Sequence, residues 1–260
     1  MPFEQTCQIR YFTFDLFQPA PIVHGVFTRH GGVSPEPWAS LNLGGTVGDE
    51  RSCVIENRRR VFAAVNLPVE SIHDVWQVHS DHVVIARVPR PLDQEHEKAD
   101  AIITDKRDVT LLMRFADCVP ILLYDPVRHV TGIVHAGWKG TVMKIAMVTV
   151  AEMRRVFGCN PADVLAGIGP SIGPKEYEIG TDVVEQVRCA FPDSADTLLW
   201  KVNAYFHFDL WEANKLALTE AGVGHVEIAR ISTAVNTKDW YSHRAEKGRT
   251  GRFGALIALK

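Results

Sequence analysis

The sequence predicts an α+β fold of mixed β-sheets flanked by helices, on three observations. Segments with strand pattern outnumber segments with helical period, and the two do not alternate strictly as a doubly wound sheet requires. Three apolar runs, Val109–Arg114, Val119–Tyr124 and Val130–His135, are rich in Val, Ile and Leu, the composition of strands buried on both faces. No stretch rich in Pro, Gly or Ser divides the 260 residues, so a single domain over 1–260 with one sizeable core is expected.

The elements follow in chain order. Ile22–Thr28 reads as a strand that empties into Arg29-His30-Gly31-Gly32-Val33-Ser34-Pro35, a turn punctuated by two glycines and a proline. Asp49–Val65 has helical spacing, with Val54, Phe62 and Val65 on its apolar side. Asp74–Val78 and Val83–Val88 read as a strand pair around Gln77-Val78-His79-Ser80. The turn Asp125-Pro126 joins the second and third apolar runs, and Thr141 is placed to cap a helix that runs to about Phe157 and closes at Gly158. Val164–Ile168 is a strand leading into a glycine-proline loop, Gly167 to Pro174. Helices are expected over Thr181–Ala190 and over Leu210–Ala221, the latter capped by Asp209, with closing strands at Val226–Ser232 and Phe253–Leu259.

Composition excludes several classes. Apolar residues make up 46% and charged residues 23%, as in an ordinary globular domain. The formal net charge is -3 and the longest basic run is Arg58-Arg59-Arg60, so no nucleic-acid footprint is expected, and these arginines read as a solvated helix surface. The segment Met1–Arg10 carries Glu4, Gln5 and Arg10 with no apolar core after a basic cap, which argues against a secretory signal. No apolar run reaches the ~20 residues that span a bilayer. Five cysteines, odd in number and irregularly spaced, predict a reducing cytoplasm rather than a disulfide framework, and the lack of a CxxC pair excludes a zinc ribbon.

The chemistry converges on His79, Cys118 and His135. If Val119–Tyr124 and Val130–His135 pair as an antiparallel hairpin, the start of one lies beside the end of the other, which makes Cys118 and His135 neighbours. Two imidazoles and a thiolate suit zinc, and three protein ligands leave a fourth position open for water or substrate. Copper accepts the same donors. Each residue alone reads more readily as a core filler or a satisfied core histidine, and the argument for the triple is its shared location at strand ends. Glycines in His135-Ala136-Gly137-Trp138-Lys139-Gly140 precede a helix and favour an anion, to which Lys139 adds charge. A second basic segment holds His243-Arg244 and Lys247 to Arg252; it reads equally as a phosphate contact or an exposed hairpin tip.

These residues also carry a resemblance. Thr28 to Ser34, Ser40-Leu41-Asn42-Leu43-Gly44, Gln77 to Ser80, Ala99-Asp100-Ala101, Asp117-Cys118-Val119-Pro120, His135 to Gly140, Gly167-Ile168-Gly169-Pro170 and Thr250-Gly251-Arg252 resemble the YfiH family, whose members are also called laccase-domain or polyphenol-oxidase-like proteins. The resemblance runs from about residue 22 to 257. It implies a metal, usually zinc, held by His79, Cys118 and His135. It also implies purine nucleoside phosphorolysis, in which phosphate cleaves adenosine, inosine or guanosine to base and ribose 1-phosphate, with methylthioadenosine cleavage and adenosine deamination as associated activities. Two positions depart from the family pattern: Ser171, where many members have cysteine, and Ser232-Thr233, where others have cysteine-threonine.

Four readings of function follow. In a phosphorylase acting on a nucleoside and phosphate, Asp100 or Asp117 would handle a proton, Lys139, Arg29 and Asn42 would orient phosphate and sugar, and Arg244 would bind substrate. A hydrolase that edits peptidoglycan precursors, removing a wrong amino acid from a muramic-acid nucleotide, would use the same metal-activated water. A copper polyphenol oxidase would need further His-rich copper sites, and none of the 11 histidines forms an H-x-H pair. A non-catalytic module with a structural zinc would need a fourth ligand, for which the sequence offers no obvious candidate. Deamination by a metal-bound hydroxide would occur without the usual H-x-E…P-C-x-x-C signature.

Overall fold

The computed structural model describes residues 3–6, 8–91 and 93–260. Its strands form two six-stranded sheets and a small third one. The first sheet runs in the order Phe3–Thr6, Ile9–Phe12, Ile22–Phe27, Phe253–Leu259, Thr110–Phe115, Ile72–His73. The second runs His225–Ile228, Leu165–Ile168, Val119–Asp125, Val130–Ala136, Ala101–Thr104, Val83–Ile85. Both mix parallel and antiparallel pairs, so the expected α+β class with mixed sheets holds. Glu178–Ile179, Tyr205–Phe208 and Leu199–Val202 make the third sheet.

The two large sheets pack face to face, and helices cover both outer faces. Strand period assigns each side chain to its layer. On Thr110–Phe115, Leu111, Met113 and Phe115 enter the core between the sheets, while Leu112 faces outward onto Val61 and Phe62 of the helix Arg51–Ala64. On Val119–Asp125, Leu122 and Tyr124 face the other sheet, while Ile121 and Leu123 pack under Ile145, Val150 and Met153 of the helix Ile145–Phe157. Strands buried on both faces are apolar at most positions, which is why these runs read as near-continuous hydrophobic stretches. No helix among the described residues is long and apolar enough to cross a membrane.

Several expectations need correction. Asp74–Val78 is not a strand paired with Val83–Val88. Strand pairing covers only Ile72–His73, against Thr110 and Leu111, and Val83–Ile85 pairs with Ala101–Ile103 in the other sheet. The segment between them crosses from one sheet to the other, with Trp76 and Val78 exposed and Trp76 held by a single bridge to Lys98. Thr141 caps nothing: it lies in a short helix, Trp138–Val142, and its hydroxyl accepts from Asn214 Nδ2 at 3.0 Å. The longer helix restarts at Ile145 after Lys144 turns left-handed at φ 56°, and ends at Gly158 in the left-handed conformation as expected. The closing strand at Val226–Ser232 is His225–Ile228, with Ser232 outside it in an isolated bridge to Ser171. Arg58 leaves the solvated surface expected of its run and turns inward to Asp74, whereas Arg59 stays exposed. Cys53, Cys118, Cys159 and Cys189 are free thiols; Cys7, Met1 and Pro2 lie outside the described residues.

Candidate metal centre and its cleft

The hairpin forms as its apolar pattern requires. Val119 pairs with Ala136 and Pro120 with His135, so Cys118, just before the first strand, lies beside the end of the second. At the hairpin's far end Asp125 Oδ1 accepts from the amides of Val127 and Arg128 at 2.8 and 2.9 Å, closing the Asp125-Pro126 turn. His79 arrives from the segment that crosses between the sheets. One ligand atom from each of His79, Cys118 and His135 falls within 4.8 Å of the other two, and Cys118 Sγ is 3.7 Å from His79 Nε2. His79 is exposed, Cys118 half-buried and His135 buried.

Asp100 organises this triple. Its Oδ1 lies 2.8 Å from His135 Nδ1, which directs the other ring nitrogen to the cleft. Its Oδ2 accepts from Val78 N, Ser80 N and Ser80 Oγ at 3.1, 2.6 and 2.8 Å, gripping the backbone on both sides of His79. Carboxylate partners of this kind fix the tautomer and the ring angle of a metal-binding histidine. His79 and Asp117 hold positive φ angles of 61° and 77°, a left-handed conformation that is uncommon outside glycine and that Asp and His adopt more readily than most residues. Gly137 is the tightest point: an added Cβ would meet His79 Cδ2 at 2.7 Å and Cys118 Sγ at 3.0 Å.

Electrostatics favour a deprotonated thiol. Burial raises the Cys118 pKa, but the charges of His135 and His79 and their hydrogen bonds outweigh it and hold it down to about 6. Burial lowers the His135 pKa, and the Cys118 thiolate together with Asp100 pushes it up to about 9. Burial also works against the Asp100 charge, yet His135 and the Ser80 donors bring the carboxyl down to about 2. A thiolate and two imidazoles compressed this closely form a soft, anionic donor set. It fits zinc or copper and leaves a position free.

The triple forms the floor of a cleft of about 480 Å³. Ile172, Leu210, Trp138 and Tyr177 supply apolar and aromatic wall, and Lys139, Arg244 and Arg252 supply positive charge. The structure thus brings Asp117, Lys139 and Arg244 to the cleft. Asp117 is already engaged, since Oδ1 accepts from Thr233 Oγ1 at 2.7 Å and Oδ2 from Arg244 N at 2.6 Å. Asn42 is not brought there: it is fully buried, and its amide is spent on Gly44, Asp49 and Arg252. Arg29 is also turned away, bound to Ala39 O, Thr237 O and Glu246 and lying over the Tyr241 ring. Sequence reasoning missed Arg114 and Tyr177, whose positions come from folding over distance. Arg252 lay in the basic segment that was singled out without a residue-level role. Ser171 and Ser232, the two departures from the family pattern, are bridge partners here.

With this fold and this site, the chain belongs to the family described as multi-copper polyphenol oxidoreductase laccase, whose model matches residues 23–260. Among its relatives, purine nucleoside phosphorylase YlmD of Bacillus subtilis is 36% identical over 248 residues, covering 92% of this chain and 89% of that one. A purine nucleoside phosphorylase of Deinococcus radiodurans is 39% identical over 239 residues, with the same coverage of 92% and 89%. The crystal structure of the Bacillus licheniformis hypothetical protein YfiH superposes with a TM-score of 0.93 at 32% identity, covering 100% of this chain and 99% of that one. The YfiH resemblance read from the motifs therefore holds.

Proposed function

We propose that this protein is a metal-dependent purine nucleoside phosphorylase that cleaves adenosine, inosine, guanosine or methylthioadenosine with phosphate to the free base and a pentose 1-phosphate. The observation that carries the reading is the open three-ligand cluster at the floor of a cleft that is apolar and aromatic on its walls and basic at its edge. Such a cleft has the volume and mixed lining of a small-molecule site. Relatives over nearly the full length that are named purine nucleoside phosphorylases support the substrate class.

His79, Cys118 and His135 would hold the metal, zinc in the first instance and copper as the alternative. A bound metal supplies Lewis-acid polarisation of a substrate oxygen, and would equally support adenosine deamination as a side activity. The chain's own residues do the rest. Tyr177 and Trp138 offer faces against which a purine can pack. Lys139 and Arg244 orient the sugar and stabilise negative charge as it develops. Asp100 and Asp117 act as positioning residues, because their carboxylate oxygens already accept hydrogen bonds from His135, Ser80, Thr233 and Arg244. A reducing cytoplasm suits a thiolate ligand that must stay unoxidised.

The test is to incubate zinc-loaded protein with inosine or adenosine, with and without phosphate, and to separate the products. Free base that depends on phosphate and is lost in Cys118→Ala and His79→Ala supports the reading. Inosine formed from adenosine without phosphate identifies deamination instead. Absence of both, with metal still bound, rejects the purine assignment.

A further inference from the structure

A second cavity of about 410 Å³ adjoins the metal-site residues and shares His79, His135, Arg114 and Arg252 with the first. The two lobes differ in chemistry. The first has Ile172, Leu210 and Tyr177 on its walls, whereas the second is lined by Gly45, Thr46, Arg58, Trp76, Arg114 and Arg252, with no carboxylate residue in its lining among the described residues.

The charge around this second lobe is unbalanced. Asp74 is fully buried and is shared by three guanidinium groups, with Arg90 at 2.8 Å, Arg114 at 2.6 Å and Arg58 at 3.5 Å. His96 approaches the same carboxylate at 3.2 Å. One negative charge thus serves three permanent positive ones. Arg252 adds a fourth, which Cys118, Asp117 and Glu246 offset in part, and its guanidinium hydrogen bonds go to the backbone carbonyls of Thr250 and Gly251. Arg58 Nε is buried without a hydrogen-bond partner among the described residues. Burial first, and then the neighbouring Arg114 and Arg90 charges, pull the Arg58 pKa down to about 10. Clustered guanidinium groups in a half-enclosed, carboxylate-free lobe call for a multiply charged oxyanion.

We propose that the second lobe is the inorganic phosphate subsite, with Arg58, Arg114 and Arg252 as its cationic wall. This rests on the phosphorylase reading for its role, but not for its existence. A nucleoside with its base in the apolar lobe presents C1′ where the lobes meet. Phosphate in the basic lobe then reaches C1′ from the side away from the base. A C1′–O bond to phosphate forms as the C1′–N9 bond breaks, and the bonding pair of that bond leaves with the base. The proton that hydrogen phosphate sheds on becoming an ester ends on the base, so atoms and charge balance.

Gly45 provides the test. A Cβ there meets nothing within 4 Å, and its φ is not in the left-handed region, so a side chain is tolerated. Gly45→Glu places a carboxylate at the phosphate lobe, and Gly45→Gln is its uncharged control. Binding of inorganic phosphate to the full chain is measured by calorimetry, and phosphate and inosine KM values by turnover. Gly45→Glu is expected to weaken phosphate binding and raise phosphate KM by about tenfold or more, with inosine KM within about twofold, while Gly45→Gln, which adds the same bulk without the charge, has a clearly smaller effect on phosphate. Arg58→Gln should weaken phosphate binding in the same sense, with folding checked by thermal melting. No phosphate binding by the parent chain, or equal phosphate affinity in the parent and Gly45→Glu, overturns the subsite. Phosphate binding that Gly45→Glu abolishes, in a protein that cleaves no purine, keeps the subsite and rejects the phosphorylase reading.

Discussion

Asp100 Oδ1 sits 2.8 Å from His135 Nδ1, and through its second oxygen the same buried carboxylate holds the chain around His79. One side chain thus sets the orientation of two of the three metal ligands. Asp100→Asn keeps the shape but loses the charge and one acceptor. Zinc affinity, measured by competition with a chromophoric chelator, is expected to fall by about 10- to 100-fold. Unchanged affinity would mean that the histidines are held by packing alone.

Gly137 is the second control point. Because a Cβ there would come within 2.7 Å of His79 and 3.0 Å of Cys118, Gly137→Ala must push the ligands apart. Metal binding should be lost or weakened strongly, with the cost of the buried displacement read separately by thermal unfolding of the metal-free protein. Equal zinc binding by the variant and the parent would show that the loop has room to yield.

The thiol of Cys118 should be the reactive one. Held down to about 6 by its histidine neighbours, it is mostly thiolate at neutral pH in metal-free protein, while Cys189 is the more exposed thiol. Mass spectrometry after brief iodoacetamide treatment at pH 7 should find Cys118 modified first, and zinc should protect it. Preferential labelling of Cys189 would contradict this electrostatic picture.

Stability should fall in mild acid in part through His24. Its ring is buried beside Phe14 and Phe17 and its Nε2 accepts from Phe14 N at 2.9 Å, and burial lowers its pKa from 6.5 to about 4. The unfolded chain takes up this proton near pH 6.5, whereas the folded one resists until about 4. The contribution is therefore complete above pH 6.5 and is lost as pH falls through that window, amounting to roughly 3 kcal/mol. Urea unfolding at pH 8 and pH 5 should show a smaller difference for His24→Gln than for the parent. An equal difference would assign the acid sensitivity to other groups.

How far the sequence revealed this molecule depended on the range of the interactions involved. Thr181–Ala190 and Phe253–Leu259 were legible to the residue, and the Val119–Asp125 and Val130–Ala136 hairpin nearly so, because each carries a local period or a continuous apolar run. The Cys118 and His135 neighbourhood followed from that hairpin. The insertion of Phe253–Leu259 between Ile22–Phe27 and Thr110–Phe115 was not legible, since pairing across such separations leaves no mark in a short window. The same holds for Arg58, Asp74, Arg90 and Arg114, whose convergence drew one arginine of a basic run read as solvated into the wall of the second lobe. Asn42 and Arg29 show the reverse: polar residues within motifs that proved to serve the loop framework and not the cleft.

The most direct test of the account is to strip the metal, return zinc in steps, and follow base release from inosine and phosphate alongside circular dichroism. An open catalytic site predicts a folded, inactive metal-free chain whose activity rises linearly and levels off at about one zinc per chain. A metal-free chain that cleaves inosine as fast as the zinc-loaded one would contradict the central claim, and one that unfolds when stripped would make the metal structural.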